Sequence, residues 1–145
     1  MPLMIEVVRL EKIGANTVDE INALLAQLAS HYELVTPSAL EKMLVHPDIE
    51  LLTVVDEGKI IGIATLIITH KLSGISSQVE HVVIDEKYRG QGLGETLMKK
   101  LIERAGIRRA ESVVLTSRPA RAAANKLYRK LGFERKETNV YRLNL

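Results

Sequence analysis

A strand, a glycine-punctuated turn, an amphipathic helix and a second strand follow one another between residues 78 and 116, and this succession restricts the fold more than any other part of the chain. Gln78 to Ile84 is rich in β-branched residues and reads as a strand. Gly92 to Ala105 carries Leu93, Leu97, Leu101 and Ile102 at helical spacing, with Gly106 placed to stop the helix. Ser112 to Thr116 reads as a short strand. A strand, helix, strand unit returns parallel through a right-handed crossover, so the sheet must contain a parallel pair.

The remaining signals surround that unit. Ile5 to Leu10 reads as a first strand. Thr17 and Glu20 have capping-box spacing, and Val18, Ile21, Leu24, Leu25 and Leu28 share one helical face, which predicts a helix from Thr17 to Ser30. His31 to Val35 is the connecting loop. Thr36, Pro37 and Ser38 start a second helix that ends before Pro47. Leu51 to Val55 and Ile60 to His70 flank Asp56-Glu57-Gly58-Lys59, the pattern of an antiparallel hairpin. Pro119 to Leu131 predicts a helix closed by Gly132, with Phe133 to Lys136 and Val140 to Leu143 as two last strands. The expected class is α/β (α+β), a mixed, mostly antiparallel sheet in the order βααβββαβαββ. With no repeat or linker, residues 1–145 are expected to form a single domain.

Composition removes several chemistries. The absence of cysteine excludes disulfides, thiolate metal sites and a Cys nucleophile. His31, His46 and His70 lack metal-ligand spacing, so no metal is expected. A net charge of +2 gives no general reason to expect nucleic acid as a partner. Ile60 to Ile68, the longest strongly apolar stretch, is far too short to span a bilayer as a helix, and Met1 to Lys12 lacks the apolar core of a signal peptide. A soluble, cytoplasmic protein without a membrane partner is the expectation.

The turn itself reads Tyr88-Arg89-Gly90-Gln91-Gly92-Leu93-Gly94. Glycines tolerate positive φ and let backbone N–H groups approach an anion, while the helix start adds its dipole and Arg89 a fixed charge. The design suits a pyrophosphate, although such a turn can also be purely structural. Gly90, Gly92 and Gly94 satisfy neither G-x-G-x-x-G nor the P-loop pattern.

Arg89-Gly90-Gln91-Gly92-Leu93-Gly94 matches the R/Q-x-x-G-x-G/A signature of the GNAT acetyltransferase superfamily, and Asn125 to Glu134 is similar to its later L-Y-x-x-L-G-F motif. The chain thus resembles small bacterial-type members of that superfamily, in element order over nearly its whole length. The resemblance implies a splayed central strand pair and acetyl-coenzyme A as co-substrate. Val82, Val83 and Ile84 would then face the pantetheine and thioester. The backbone of Gly90, Gln91, Gly92, Leu93, Gly94 and Glu95 would bind the pyrophosphate, with Arg89 beside it. Tyr128 corresponds to the tyrosine that protonates the departing thiolate; as a phenol of pKa about 10 it needs help from its surroundings, and otherwise it is a packed core tyrosine. Many relatives have Asn seven residues before that tyrosine. Arg121 stands there in this chain, and Asn125 lies three before, so helical spacing puts Arg121, Asn125 and Tyr128 on one face toward the cofactor or, for Arg121, solvent.

The resemblance implies N-acetyl transfer to an amine. A lysine-like acceptor must lose a proton first, at a cost of about 4 kcal/mol near neutral pH, so a base is required. Glu80 is the candidate, because strict alternation puts it on the face of Val82 and Ile84; His81 points the other way unless a bulge intervenes. Without a Cys nucleophile or a Ser-His-Asp grouping, direct attack in a ternary complex is expected. The acceptor, a small-molecule or peptide amine, is lined by His31 to Thr36 and Ser73 to Ser77 in this reading. A homodimer is possible, as in similar enzymes. The competing class is a non-catalytic acyl-coenzyme A binding or sensor domain.

Overall fold

The computed structural model describes residues 5–29 and 32–145. Five strands form one sheet in chain order: β1 Ile5–Arg9, β2 Ile49–Asp56, β3 Lys59–Lys71, β4 Gly74–Ile84 and β5 Val113–Val114. The first four pair antiparallel, and β5 joins β4 in parallel, as the crossover requires. Helices α1 Thr17–Leu28 and α2 Pro37–Val45 precede β2, α3 Leu93–Ile107 links β4 to β5, and α4 Ala122–Lys130 follows.

The central strands are buried on both faces, so their sequences run as near-continuous apolar stretches. One face packs Leu52, Val54, Leu66 and Val79 with Leu97, Met98 and Leu101 of α3 and Tyr128 of α4. The opposite face packs Leu51, Ile60, Ile63 and Val83 with Ile21 and Leu24 of α1 and Leu40 of α2. Among the described residues no helix is long and apolar enough to cross a membrane.

Local chemistry sets the joints. The β2–β3 hairpin closes at Asp56 opposite Lys59, with Glu57 (φ 47°) and Gly58 (φ 83°) both left-handed, the pattern of a type I′ turn. Thr36 caps α2 by accepting from the Ala39 amide at 3.1 Å, with Pro37 in the first turn. Gly132 (φ 97°) closes α4 in a Schellman motif: its amide donates to Arg129 O (3.1 Å) and the Phe133 amide to Tyr128 O (3.0 Å).

Several expectations are corrected. Thr17 does not cap α1. Asn16 occupies the cap position, and the Thr17 hydroxyl turns back to accept from the Gly14 amide at 2.9 Å. Gly106 does not stop α3, which runs to Ile107 and closes where Arg109 adopts φ 61°. Ser73 to Ser77 is not a loop: β4 starts at Gly74, and Ser76 and Ser77 are buried against Ser112. Residues 119–121 form a turn rather than the start of α4. The strands expected at Phe133 to Lys136 and Val140 to Leu143 do not form, so the observed order is βααβββαβα. A strand needs a partner, and the adjacent β5 is two residues long. Phe133 packs edge-on against Tyr128 instead (centroids 5.8 Å apart), while Val140, Tyr141 and Leu143 are exposed. Ser30 and His31, at the expected helix end and loop start, lie outside the described residues.

A buried charge fixes α3 to the sheet. Glu50 on β2 is fully buried; Arg104 donates to it bidentately (Nε to Oε1 2.7 Å, Nη2 to Oε2 3.0 Å), and Arg108 Nη1 reaches Oε2 at 2.9 Å. Burial alone would raise the Glu50 carboxyl, but the two arginines outweigh it and hold the group below the ordinary carboxylate range. A depressed carboxylate stabilises the fold above its unfolded pKa, about 4.3, and that contribution is lost as pH falls through the lower folded value. Glu50→Gln should therefore cost about 2 kcal/mol at neutral pH in urea unfolding, with the deficit relative to wild type shrinking below about pH 4.

Candidate active site

β4 and β5 pair only at Ser77 with Val113 and Gln78 with Val114, and then separate. The closed end of this fork is stitched by Ser77 N to Ser112 O (2.9 Å), Glu111 N to Ile75 O (2.8 Å) and a hydroxyl contact between Ser76 and Ser112 (3.0 Å). Beyond it, Val79 to Ile84 present a strand edge with no β5 partner.

The strand is also bent there. Ile63 pairs with Val83 and Thr65 with Glu80, so Ala64 opposes two residues, His81 and Val82: a β-bulge, with His81 at φ 52°. The extra residue breaks alternation. Val82 and Ile84 lie with Val79 on the α3–α4 face, whereas Val83 is buried against α1 and α2, the face that Thr65 and its partner Glu80 share with Ile63. Glu80 and Val82 therefore point to opposite faces, contrary to strict alternation, and His81 is exposed within the bulge. The Glu80 carboxylate, partly buried, accepts from Gln78 Nε2 at 2.5 Å.

The glycine turn leads from the open end of the fork into α3. Gly90 (φ 81°) and Gly92 (φ 78°) are left-handed, and a Cβ at either would meet open space, so conformation rather than crowding selects glycine. The first helical bond runs from Thr96 N to Gly92 O (3.1 Å), leaving the amides of Leu93, Gly94 and Glu95 without intrahelical acceptors. None of the amides from Gly90 to Glu95 donates to a backbone acceptor outside the regular helix bonds among the described residues. Together with the helix dipole they form a cradle suited to a diphosphate. Arg89 folds its Nε onto Ile84 O (2.9 Å), holding its charge at the mouth of the fork, and Gln91 is exposed. Glu95 would repel an anion, but its carboxylate is paired with Lys130 (2.8 Å) and Lys99 (3.2 Å), which hold it below its ordinary pKa.

The far wall comes from α4. Tyr128 is 6% exposed, and burial raises its hydroxyl above the ordinary value while Arg121 works to lower it. Arg121 Nη2 donates to Val82 O at 3.4 Å, across the fork. Asn125 does not aim its amide at the fork: Nδ2 donates to Arg118 O (2.9 Å) and Arg121 O (2.8 Å), bracing the turn before α4. Ser117, which the sequence did not single out, has a buried hydroxyl without a partner on the segment leaving β5. An orphaned hydroxyl, a strand edge without a strand partner and unused amides are the groups that the amide-bearing arm and diphosphate of coenzyme A would satisfy. Two shallow depressions lie elsewhere, beside α1, and include Asp19, Glu20, Lys59 and Asp85 or Arg9, Glu11 and Lys12.

The Acetyltransferase (GNAT) family profile matches residues 19–133. The chain belongs to the GNAT family. Over 78 residues it is 36% identical to L-methionine sulfoximine/L-methionine sulfone acetyltransferase of Pseudomonas aeruginosa, covering 53% of this chain and 45% of that protein. It is 32% identical over 78 residues to N-acetylaspartate synthetase of Xenopus tropicalis, covering 54% of this chain and 28% of that protein. The matched stretch thus spans less than half the length of either relative. A solved Trypanosoma brucei acetyltransferase superimposes with a TM-score of 0.79 at 28% identity, over 97% of this chain and 99% of that one.

The cradle makes a direct prediction. Gly92→Val forces a β-branched residue into the left-handed region at the helix start, so coenzyme A affinity measured by calorimetry should fall at least about tenfold. The clamp at Glu50 is remote, and the circular dichroism spectrum should be retained.

Proposed function

We propose that the protein transfers the acetyl group of acetyl-coenzyme A to an amine by direct attack within a ternary complex. The observation that carries this reading is the conjunction of a β4 edge without a strand partner, a cradle of unused amides and a buried phenol across the same fork. Acetyl-coenzyme A supplies an activated acetyl thioester when bound. The amides of residues 90–95 would hold its diphosphate, and the edge of β4 at Val82 to Ile84 would align the arm by strand-like hydrogen bonds in place of the Arg121 and Arg89 side chains that now bond Val82 O and Ile84 O.

Glu80 stands on the α1–α2 face, opposite Val82 and Ile84, which separates the two tasks of the strand. On that face it would take the proton that an ammonium acceptor must lose before it can attack. The loop from Tyr32 to Thr36 belongs to the same side and is held on α1 by Asn22, which donates to Val35 O (3.1 Å) and accepts from the Val35 amide (2.9 Å), while the Tyr32 hydroxyl donates to Asn22 O (2.6 Å). A pinned loop is a suitable wall for an acceptor pocket. On the other face Tyr128 would hold a proton for the leaving sulfur.

The two relatives above are named for amino-acid chemistry, which supports free α-amino acids as the first acceptors to test. A thiol-release assay across amino acids, polyamines, aminoglycosides and peptides should give turnover with at least one class. Tyr128→Phe and Glu80→Gln should each lower kcat by about 10- to 100-fold while leaving coenzyme A affinity within about threefold. Tight binding with no thiol release from any amine would instead indicate a sensor.

A further inference from the structure

The amides from Gly90 to Glu95 are unused, yet those just before them are all tied down. Asp85 donates to Ile61 O on β3 (2.8 Å), Glu86 to the Gln27 side chain on α1 (2.9 Å), Lys87 to Asp85 Oδ1 (3.0 Å) and Tyr88 to Asp85 O (2.8 Å). Tyr88 adds a side-chain anchor: its hydroxyl donates to Asp56 Oδ2 at 2.6 Å. The Tyr88 ring packs against the core cluster under α3 and α4, and Asp56 ends β2 at the hairpin. Beyond Tyr88 the main chain is held more loosely. The Arg89 amide reaches Glu86 O only at 3.4 Å, and the next backbone bond is the start of α3, from Thr96 N to Gly92 O at 3.1 Å. Gly90 and Gly92, both left-handed, lie between these points.

An anion cradle needs such an anchor. Glycine has more backbone freedom to lose than any other residue, and several N–H groups bind one anion well only when they converge on it. A short hydroxyl bond to a carboxylate is about twice as strong as one between neutral groups, so the pair is a firm tie. Charge alone would argue against placing it here, because Asp56 has the same sign as a diphosphate. The two effects therefore predict opposite outcomes when that charge is removed.

We propose that Tyr88 and Asp56 are a positioning pair for diphosphate binding: their hydrogen bond fixes the start of the glycine turn on the β2–β3 hairpin, so that the amides from Gly90 to Glu95 converge on one anion. This rests on the reading of that turn as the coenzyme A site. The pair acts through the backbone that it holds, and neither side chain has to touch the ligand. Gln27 holds Glu86 from the α1 side, so the segment leading into the turn is fixed to the sheet and to a helix at once.

The test compares two probes, coenzyme A by calorimetry and pantetheine, which has the arm without the diphosphate, by NMR titration. Tyr88→Phe should lower coenzyme A affinity about tenfold, and Asp56→Asn, whose amide oxygen still accepts from the hydroxyl, about threefold. The double variant should bind no worse than Tyr88→Phe, because the two residues act as one unit. Pantetheine affinity should stay within about twofold in all three. Without any ligand, the backbone amide signals of residues 89–95 should shift in Tyr88→Phe. Asp56→Asn keeps the size of both side chains and carries the test if Tyr88→Phe unfolds. Coenzyme A affinity unchanged in Tyr88→Phe, or unchanged or raised in Asp56→Asn as relief of repulsion alone would give, would overturn the proposal. Equal losses for both probes would do the same, by showing general damage. A wild type that binds no coenzyme A would instead overturn the cofactor reading before any variant is compared.

Discussion

The β-bulge at His81 and Val82 is the constraint on which the rest of the site depends. One extra residue on β4 opposite Ala64 bends the strand and raises its local twist, in the stretch where pairing to β5 has already ended. The bulge also reassigns faces. A regular strand would align Glu80 with Val82 and Ile84; the bulged one sends Glu80 and Val83 toward α1 and α2, and Val82 and Ile84 toward α3 and α4. A single strand can then serve a donor on one side and an acceptor on the other.

An open fork costs strand-ladder hydrogen bonds, and three separate clamps hold its walls. The seam of Ser76, Ser77 and Ser112 closes one end. Glu50 with Arg104 and Arg108 ties the last turns of α3 to β2, which sets the direction in which the amides at the other end of that helix point. The Schellman closure at Gly132, with Phe133 against Tyr128, fixes α4 and the phenol it carries. These three contacts lie outside the fork and leave its edge and its turn amides open.

What the sequence made legible is what local chemistry decides. The hairpin at Glu57 and Gly58, the Thr36 cap and the glycine turn each need only neighbouring residues, and each formed as read. The features that escaped are set by partners distant in sequence. The bulge depends on register with Ala64, so alternation alone put Glu80 on the wrong face. Val140 to Leu143 has strand composition, yet β5 is too short to receive it. Thr17 has capping spacing, but Asn16 takes the cap position and the Thr17 hydroxyl is used on Gly14. Helical spacing put Arg121 and Asn125 on one face, but Arg121 precedes α4 with ψ 67°, outside the helical region; its side chain reaches across the fork while Asn125 braces the turn beneath it.

The central claim is that the opened edge of β4 and the amides from Gly90 to Glu95 form one binding surface. Backbone amide NMR of the labelled protein, titrated with coenzyme A, tests it most directly. The account requires the largest shift changes at residues 82–84 and 90–95, saturating together. Changes confined to the depressions beside α1, with the 90–95 amides unmoved at saturation, would contradict it.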